Sequence, residues 1–195
     1  MHDKLVIWML LTCCVHNNAY SLIAPFLPLE FERKGIHSAY TGLVFAIFSI
    51  PIVLFSPIFG RIFDRIGHKN LLAGGIGVMG LAIISFGFIE HMTNRVNIIM
   101  FAFILRFIQG LSVSFLLPAY FTISTTDYPE RKVEILGLIE AMIGLGLVIG
   151  PIIGSTLYSL FGFKGTFYVY GSFEILLGIV MRITLPDRRQ RLYQK

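Results

Sequence analysis

A short charged stretch, Gly60-Arg61-Ile62-Phe63-Asp64-Arg65-Ile66-Gly67-His68-Lys69, is all that separates two long apolar runs, residues 41–59 and 71–89. Each run is long enough to cross the hydrocarbon core of a bilayer as a helix, which takes about 20 apolar residues. A hydrophilic link this short must turn at the membrane surface. Gly60 and Gly67 are expected to supply close approach and unusual backbone angles in that turn. Asp64 is costly there unless it meets a partner or a helix N-terminus. Arg65 and Lys69 sit where cytoplasmic charges belong.

The rest of the chain repeats this alternation. Six apolar runs span residues 5–29, 41–59, 71–89, 96–125, 135–161 and 166–185, with hydrophilic breaks at 30–40, the charged stretch, 90–95, 126–134 and 162–165. Pro25, Pro28, Pro51, Pro57, Pro118 and Pro151 fall inside or at the ends of these runs, and in a bundle they predict kinks without helix loss. Mean hydropathy is +0.77, and only 14 % of residues are charged, against about a quarter in a soluble domain. The net charge of +5 is dispersed over the links, which excludes a nucleic-acid surface. Cys13 and Cys14 are adjacent inside an apolar run and can form neither a disulfide framework nor a metal site. There is no phosphate-cradling loop, no Cys/His metal spacing and no nucleophile elbow, so neither an enzyme nor a cofactor is expected. The first run is too long for a cleavable signal peptide and is read as its own uncleaved signal.

Basic residues set an orientation. Lys4, Arg61, Arg65, Lys69, Arg131, Lys132, Arg188, Arg189, Arg191 and Lys195, with Arg182 at a helix end, fall on one side, and Arg33, Lys34, Arg95 and Lys164 on the other. The richer side is cytoplasmic, which places both termini there. Gly60, Gly67 and Lys69 are echoed three runs later by Gly154, Gly162 and Lys164, as a three-plus-three inverted repeat would give. The fold class expected is an all-α membrane protein of six transmembrane helices.

Three motifs in order carry a family resemblance. The Gly-x-x-x-Asp-Arg-x-Gly-x-Lys spacing of residues 60–69 resembles the signature between helices 2 and 3 of the major facilitator superfamily of secondary transporters, although His68 stands where that family usually has Arg or Lys. Arg106-Phe107-Ile108-Gln109-Gly110 resembles its Arg-x-x-Gln-Gly element. Gly146-Leu147-Val148-Ile149-Gly150-Pro151-Ile152-Ile153-Gly154 resembles the Gly-x-x-x-Gly-Pro-x-x-Gly pattern of its antiporters, and it also makes a smooth stripe for close helix packing. Ala24-Pro25-Phe26-Leu27-Pro28, Gly35 after Lys34, Glu140 before the stripe and Leu157-Tyr158 look like the vesicular amine and polyamine branch. The resemblance implies that residues 1–185 form the N-terminal six-helix half and that 186–195 begin the central cytoplasmic loop or a C-terminal tail. It also implies a second six-helix half, in the same or a separate chain, with the site between the two, in a vesicle or other endomembrane.

Candidate site residues emerge from helical spacing. Cys13, His16, Asn17, Tyr20, Ser21 and Ala24 share one face of the first run, and polar groups at membrane depth face the bundle or a water-filled cavity. His16 stands where amine carriers of that branch have an acid, which counts against monoamines; it can carry a proton or serve as a plain hydrogen-bonding residue. Glu140 shares a face with Gly137, Gly144 and Pro151, and can bind a cationic amine, carry the coupling proton or pair with Arg106. A buried Arg106 needs a counter-charge, water or backbone carbonyls. Glu174 is a second substrate candidate. Glu90 reads as interfacial, while Asp127 and Glu134 can pair with Arg65 or Lys69. Two functions follow: proton-coupled antiport of a small organic cation, polyamines ahead of monoamines, or a non-transporting structural or regulatory subunit.

Overall fold

The computed structural model describes residues 2–185, without the side chains at 2, 3 and 63–65. The tail at 186–195 lies outside the described residues. Every regular element is helical: α1 (His2–Leu22), α2 (Phe26–Arg33), α3 (Ser38–Ile47), α4 (Ser49–Ile66), α5 (His68–Phe86), α6 (Arg95–Thr122) and α7 (Lys132–Thr184), with shorter turns at Gly87–His91, Ile123–Asp127 and Pro129–Arg131. Among the described residues, five helical segments are long and apolar enough to cross a membrane: Lys4–Arg33, Ser38–Ile62, His68–His91, Arg95–Asp127 and Pro129–Thr184. The fifth has 56 residues, more than twice the about 20 that a bilayer needs.

Where six runs were expected, the last two are continuous but for one residue. Gly162 takes φ 71° and ψ −172°, a left-handed backbone that only glycine adopts without penalty, and it divides α7 into two arms. The expected break at 162–165 therefore contracts to a single position.

The charged stretch at 60–69 is corrected in the same sense. It is not a loop: α4 runs on to Ile66 and α5 starts at His68, leaving only Gly67, at φ 80°, outside the helices. Arg and Ile continue a helix readily, so the turn collapses onto the one residue without a Cβ. Gly60 is helical and packs toward Pro118. Prolines act elsewhere. Pro25 stands at the start of α2, after the bend that ends α1. Pro51 cannot donate to the carbonyl four residues back, and the α3–α4 interruption lies at that point. Pro57, Pro118 and Pro151 lie inside helices without ending them.

Small residues set the crossings. A Cβ at Gly146 or Gly150 would run into the α1 backbone near Cys14 and Asn18, and one at Gly154 would meet Phe26 Cε2 at 2.8 Å. The first arm of α7 thus rides directly on α1, as small-residue stripes permit. Phe26 also stacks on Tyr158, centroids 4.9 Å apart, so two stretches singled out in the sequence touch. The second arm lies on α5, where a Cβ at Gly171 would be 2.6 Å from the Gly80 carbonyl oxygen. Gly110 of α6 packs on Phe48 and Pro51, and Ser114 Oγ donates to the Pro51 carbonyl at 2.8 Å.

The end of the bundle that carries Lys34 is tied together by charge. Lys34 Nζ donates to the carbonyls of Glu90 (3.0 Å) and Met92 (2.7 Å) and lies 3.5 Å from Glu30. The Glu90 carboxylate accepts from the Lys164 backbone N–H at 3.1 Å. Glu90, expected to be merely interfacial, therefore caps the second arm of α7 just after its bend, where a negative charge suits a helix N-terminus. Elsewhere the outer faces of α4 and α7 expose Val53, Leu54, Val148 and Ile152, surfaces suited to lipid or to a second bundle.

Candidate functional site

Arg106 is the most committed polar residue of the bundle. It sits in the middle of α6, fully buried, and its Nη1 donates to Gln109 Oε1 at 3.0 Å. The three-residue spacing puts both side chains on one helical face. Around the guanidinium stand four rings from three other parts of the chain: Phe45 at 4.2 Å, Tyr20 at 5.2 Å, Phe48 at 5.9 Å and Phe86 at 6.0 Å from the ring centroids. Such faces attract a cation through the ring quadrupole. No carboxylate lies within ion-pair distance of Arg106 among the described residues, so an Arg106–Glu140 pair is not formed. The aromatic box and Gln109 take the place of the counter-charge. Nε and Nη2 of Arg106 and Nε2 of Gln109 have no hydrogen-bond partner among the described residues, leaving a cluster of buried donors.

The polar face of α1 splits by depth. Cys13, His16 and Ser21 are buried, Asn17 and Tyr20 lie at the border, and Ala24 is exposed. Asn17 Nδ2 donates to the Cys13 carbonyl at 2.8 Å, and Ser21 Oγ donates to Asn18 and, across the helix crossing, to Gly146. Tyr20 stands between the box and the border, its ring 4.5 Å from that of Phe48. Both ring nitrogens of His16 are buried without a partner among the described residues.

Glu140 points the other way. It is exposed on α7, one residue after the buried Ile139. Gly137 and Gly144 on its face have open space where a Cβ would go. Pro151, further along, is half-buried. The residue is thus a carboxylate on a smooth, open helical surface. Glu174 has the opposite placement, fully buried on the second arm of α7 against Gly80 of α5. The structure does not bring these two candidates together.

At the end of the bundle that carries Gly67, the side chains of Asp64 and Arg65 lie outside the described residues. Lys69 is half-buried in the first turn of α5, and Asp127 is half-buried where the turn at Ile123–Asp127 ends. Glu134 takes Arg131 from its own helix start, with contacts of 2.8 and 2.9 Å; its expected pairing with Arg65 falls on a side chain outside the described residues. No group of three or more His, Cys, Asp or Glu side chains comes together among the described residues. The aromatic box escaped the sequence reading because its rings come from separate helices and no spacing connects them.

Residues 9–195 match the family model of the Major Facilitator Superfamily. The chain is 31 % identical over 168 residues to the human MFS-type transporter SLC18B1, covering 86 % of this chain and 37 % of that protein. It is 31 % identical to the multi-drug resistance efflux pump PmrA of Streptococcus pneumoniae, over 82 % of this chain and 39 % of the pump. It is 30 % identical to the multidrug resistance protein MdtG of Escherichia fergusonii, over 99 % of this chain and 46 % of that protein. The chain thus spans less than half the length of each of these relatives.

Proposed function

This chain belongs to the Major Facilitator Superfamily, and on that premise we propose that it forms one six-helix wall, built as a three-plus-three inverted repeat, of a secondary transporter exchanging a small organic cation for protons. Residues 1–185 make the wall, and a second six-helix half, of the same or another chain, makes the opposite one. The carrying observation is Glu140: an exposed carboxylate in a membrane-length apolar helix, on a face kept smooth by Gly137 and Gly144. Against lipid that charge is unfavourable, whereas against a water-filled path it attracts a cation or a proton. Asn17 and Tyr20 border the same path as substrate contacts. His16 and Arg106, buried behind them, serve proton coupling. Polyamines rank ahead of monoamines because His16 stands where an acid would meet a single amine. Asp64, with Gly60, Arg65, Gly67, Lys69 and Asp127, tunes the balance of inward and outward states at the cytoplasmic surface of a vesicle or other endomembrane.

Uptake into vesicles under an imposed pH gradient tests this reading in the complete assembly. Native uptake of a polyamine should require the gradient, and Glu140→Gln should lower it on the order of tenfold or more, equivalent to at least about 1.4 kcal/mol. Unchanged uptake in the variant sinks the role of Glu140. A chain that shows no uptake in any assembly yet co-purifies in a larger complex is the non-transporting subunit.

Orientation is checked separately. Cysteines placed at the exposed Arg33 and Arg61, in a background lacking Cys13 and Cys14, should label from opposite sides, with Arg61→Cys reached only from the cytoplasm. The reverse pattern overturns the assignment of both termini to the cytoplasm.

A further inference from the structure

The consecutive helices α4 and α5 are held by different parts of the bundle. α4 lies along α6: the Phe59 and Phe115 ring centroids are 4.0 Å apart, Phe55 meets Phe107 edge-on, and a Cβ on Gly60 would sit 3.7 Å from Pro118 Cβ. α5 lies along the second arm of α7 through Gly80 and Gly171, and a Cβ on Gly178 would come 2.8 Å from Ile76 Cγ2. Between α4 and α5 themselves the contact is slight. They are joined by the turn at Gly67, whose φ of 80° suits glycine alone, and nothing stands within 4 Å of where its Cβ would be. Packing therefore does not brace the turn.

A side chain does. Asn70, exposed in the first turn of α5, has both ends of its amide engaged. Its Nδ2 donates back across the turn to the Ile66 carbonyl at 2.9 Å, and its Oδ1 accepts from Arg182 Nη1. Ile66 ends α4, and the last carbonyls of a helix have no partner within it, so Asn70 supplies one. Arg182 lies in the last turn of α7, and through Asn70 it brings a cation toward the α4 C-terminus, where positive charge is favoured. The two bonds run in series from the end of α4, through one amide, to the end of α7. We propose that Asn70 and Arg182 form a clasp that holds the end of α4 against the second arm of α7, with Gly67 as the swivel on which that end moves when the clasp opens. An amide suits the task because it both donates and accepts; a carboxylate would keep only the bond to Arg182. The clasp stands on the fold alone. Its consequence for transport rests on the reading above, because the held end of α4 carries residues 60–65, to which the balance of inward and outward states was assigned.

Spin-label distances measured on the chain in lipid test it. Labels go on Arg61→Cys near the end of α4 and Ile179→Cys on the second arm of α7, both exposed positions, in a background lacking Cys13 and Cys14. With Asn70 and Arg182 in place the distance distribution should be narrow. Asn70→Ala and Arg182→Ala should each broaden it, and as much as the double variant does, because cutting either bond of a series frees the same end. The thermal midpoint should move little, since bonds between exposed groups contribute little to stability. A distribution unchanged in both single variants, or already as broad in the native chain, overturns the clasp. Should Asn70→Ala fail to fold, Asn70→Asp decides: it keeps the acceptor for Arg182 and loses the donor to Ile66, so an unbroadened distribution overturns the clasp. Uptake by the complete assembly separates the two claims. Broadening with unaltered uptake upholds the clasp and overturns its consequence for transport.

Discussion

Gly150→Ala is expected to loosen the seam between α1 and the first arm of α7, while the same change at Gly144, on the same arm, leaves the bundle intact. A Cβ at Gly150 would collide with Ser21 Oγ, lie 2.6 Å from the Asn18 carbonyl oxygen and come within 3.1 Å of the Leu22 nitrogen. Two of those three neighbours are backbone, so the clash cannot be relieved by a rotamer change; the helices must part. Overpacking of this kind costs about 1–3 kcal/mol. At Gly144 nothing lies within 4 Å of the added carbon, and alanine is intrinsically the better helix former by about 1 kcal/mol. Thermal unfolding in detergent should therefore show a lowered midpoint for Gly150→Ala and an unchanged or raised one for Gly144→Ala. Equal midpoints would mean that the stripe does not set the crossing. The Ser21-to-Gly146 hydrogen bond at the same seam should be lost together with the contact.

Arg106 offers the second large effect, and its sign separates two kinds of support. The guanidinium is held by ring faces and by Gln109, with Phe45 nearest at 4.2 Å. A planar, weakly hydrated cation suits that box, whereas the compact, strongly hydrated ammonium of lysine does not. Arg106→Lys should lose the stacking and the directed bond to Gln109, destabilising the chain by about 2 kcal/mol. Arg106→Met removes the charge altogether, and replacing a buried charge by an apolar side chain of similar volume is often close to neutral. Melting measurements should thus rank Arg106→Met at or above Arg106→Lys, with uptake in the full assembly abolished by both. If lysine preserves stability and methionine collapses it, a carboxylate outside this bundle is the true counter-ion.

Much of the architecture was open to reading along the chain. Apolar run length and the placement of basic links are local properties, and a bilayer accepts few structures that satisfy them. The helical character of the apolar runs and the packing role of Gly146, Gly150 and Gly154 were legible for that reason, whereas the ends beside the charged stretch and at 162–165 were not. So was Glu140 as a carboxylate sharing a face with Gly137 and Gly144, because that face follows from helical periodicity alone. Periodicity gives the faces of one helix but not what each face meets. Whether a face looks inward depends on contacts between residues far apart in the chain, such as Gly171 on Gly80 or Gly110 on Phe48. That is why Glu140 and Glu174, two acids alike in being set within apolar runs, ended in different surroundings, one exposed and one buried. It is also why Arg106 met Tyr20, Phe45, Phe48 and Phe86, rings that no spacing along the chain connects to it. The turns at Gly67 and Gly162 follow the same division. Which stretches had to turn was written in their polarity, but only the packed helices, propagating as far as their neighbours allowed, left a single glycine at each to carry the change of direction.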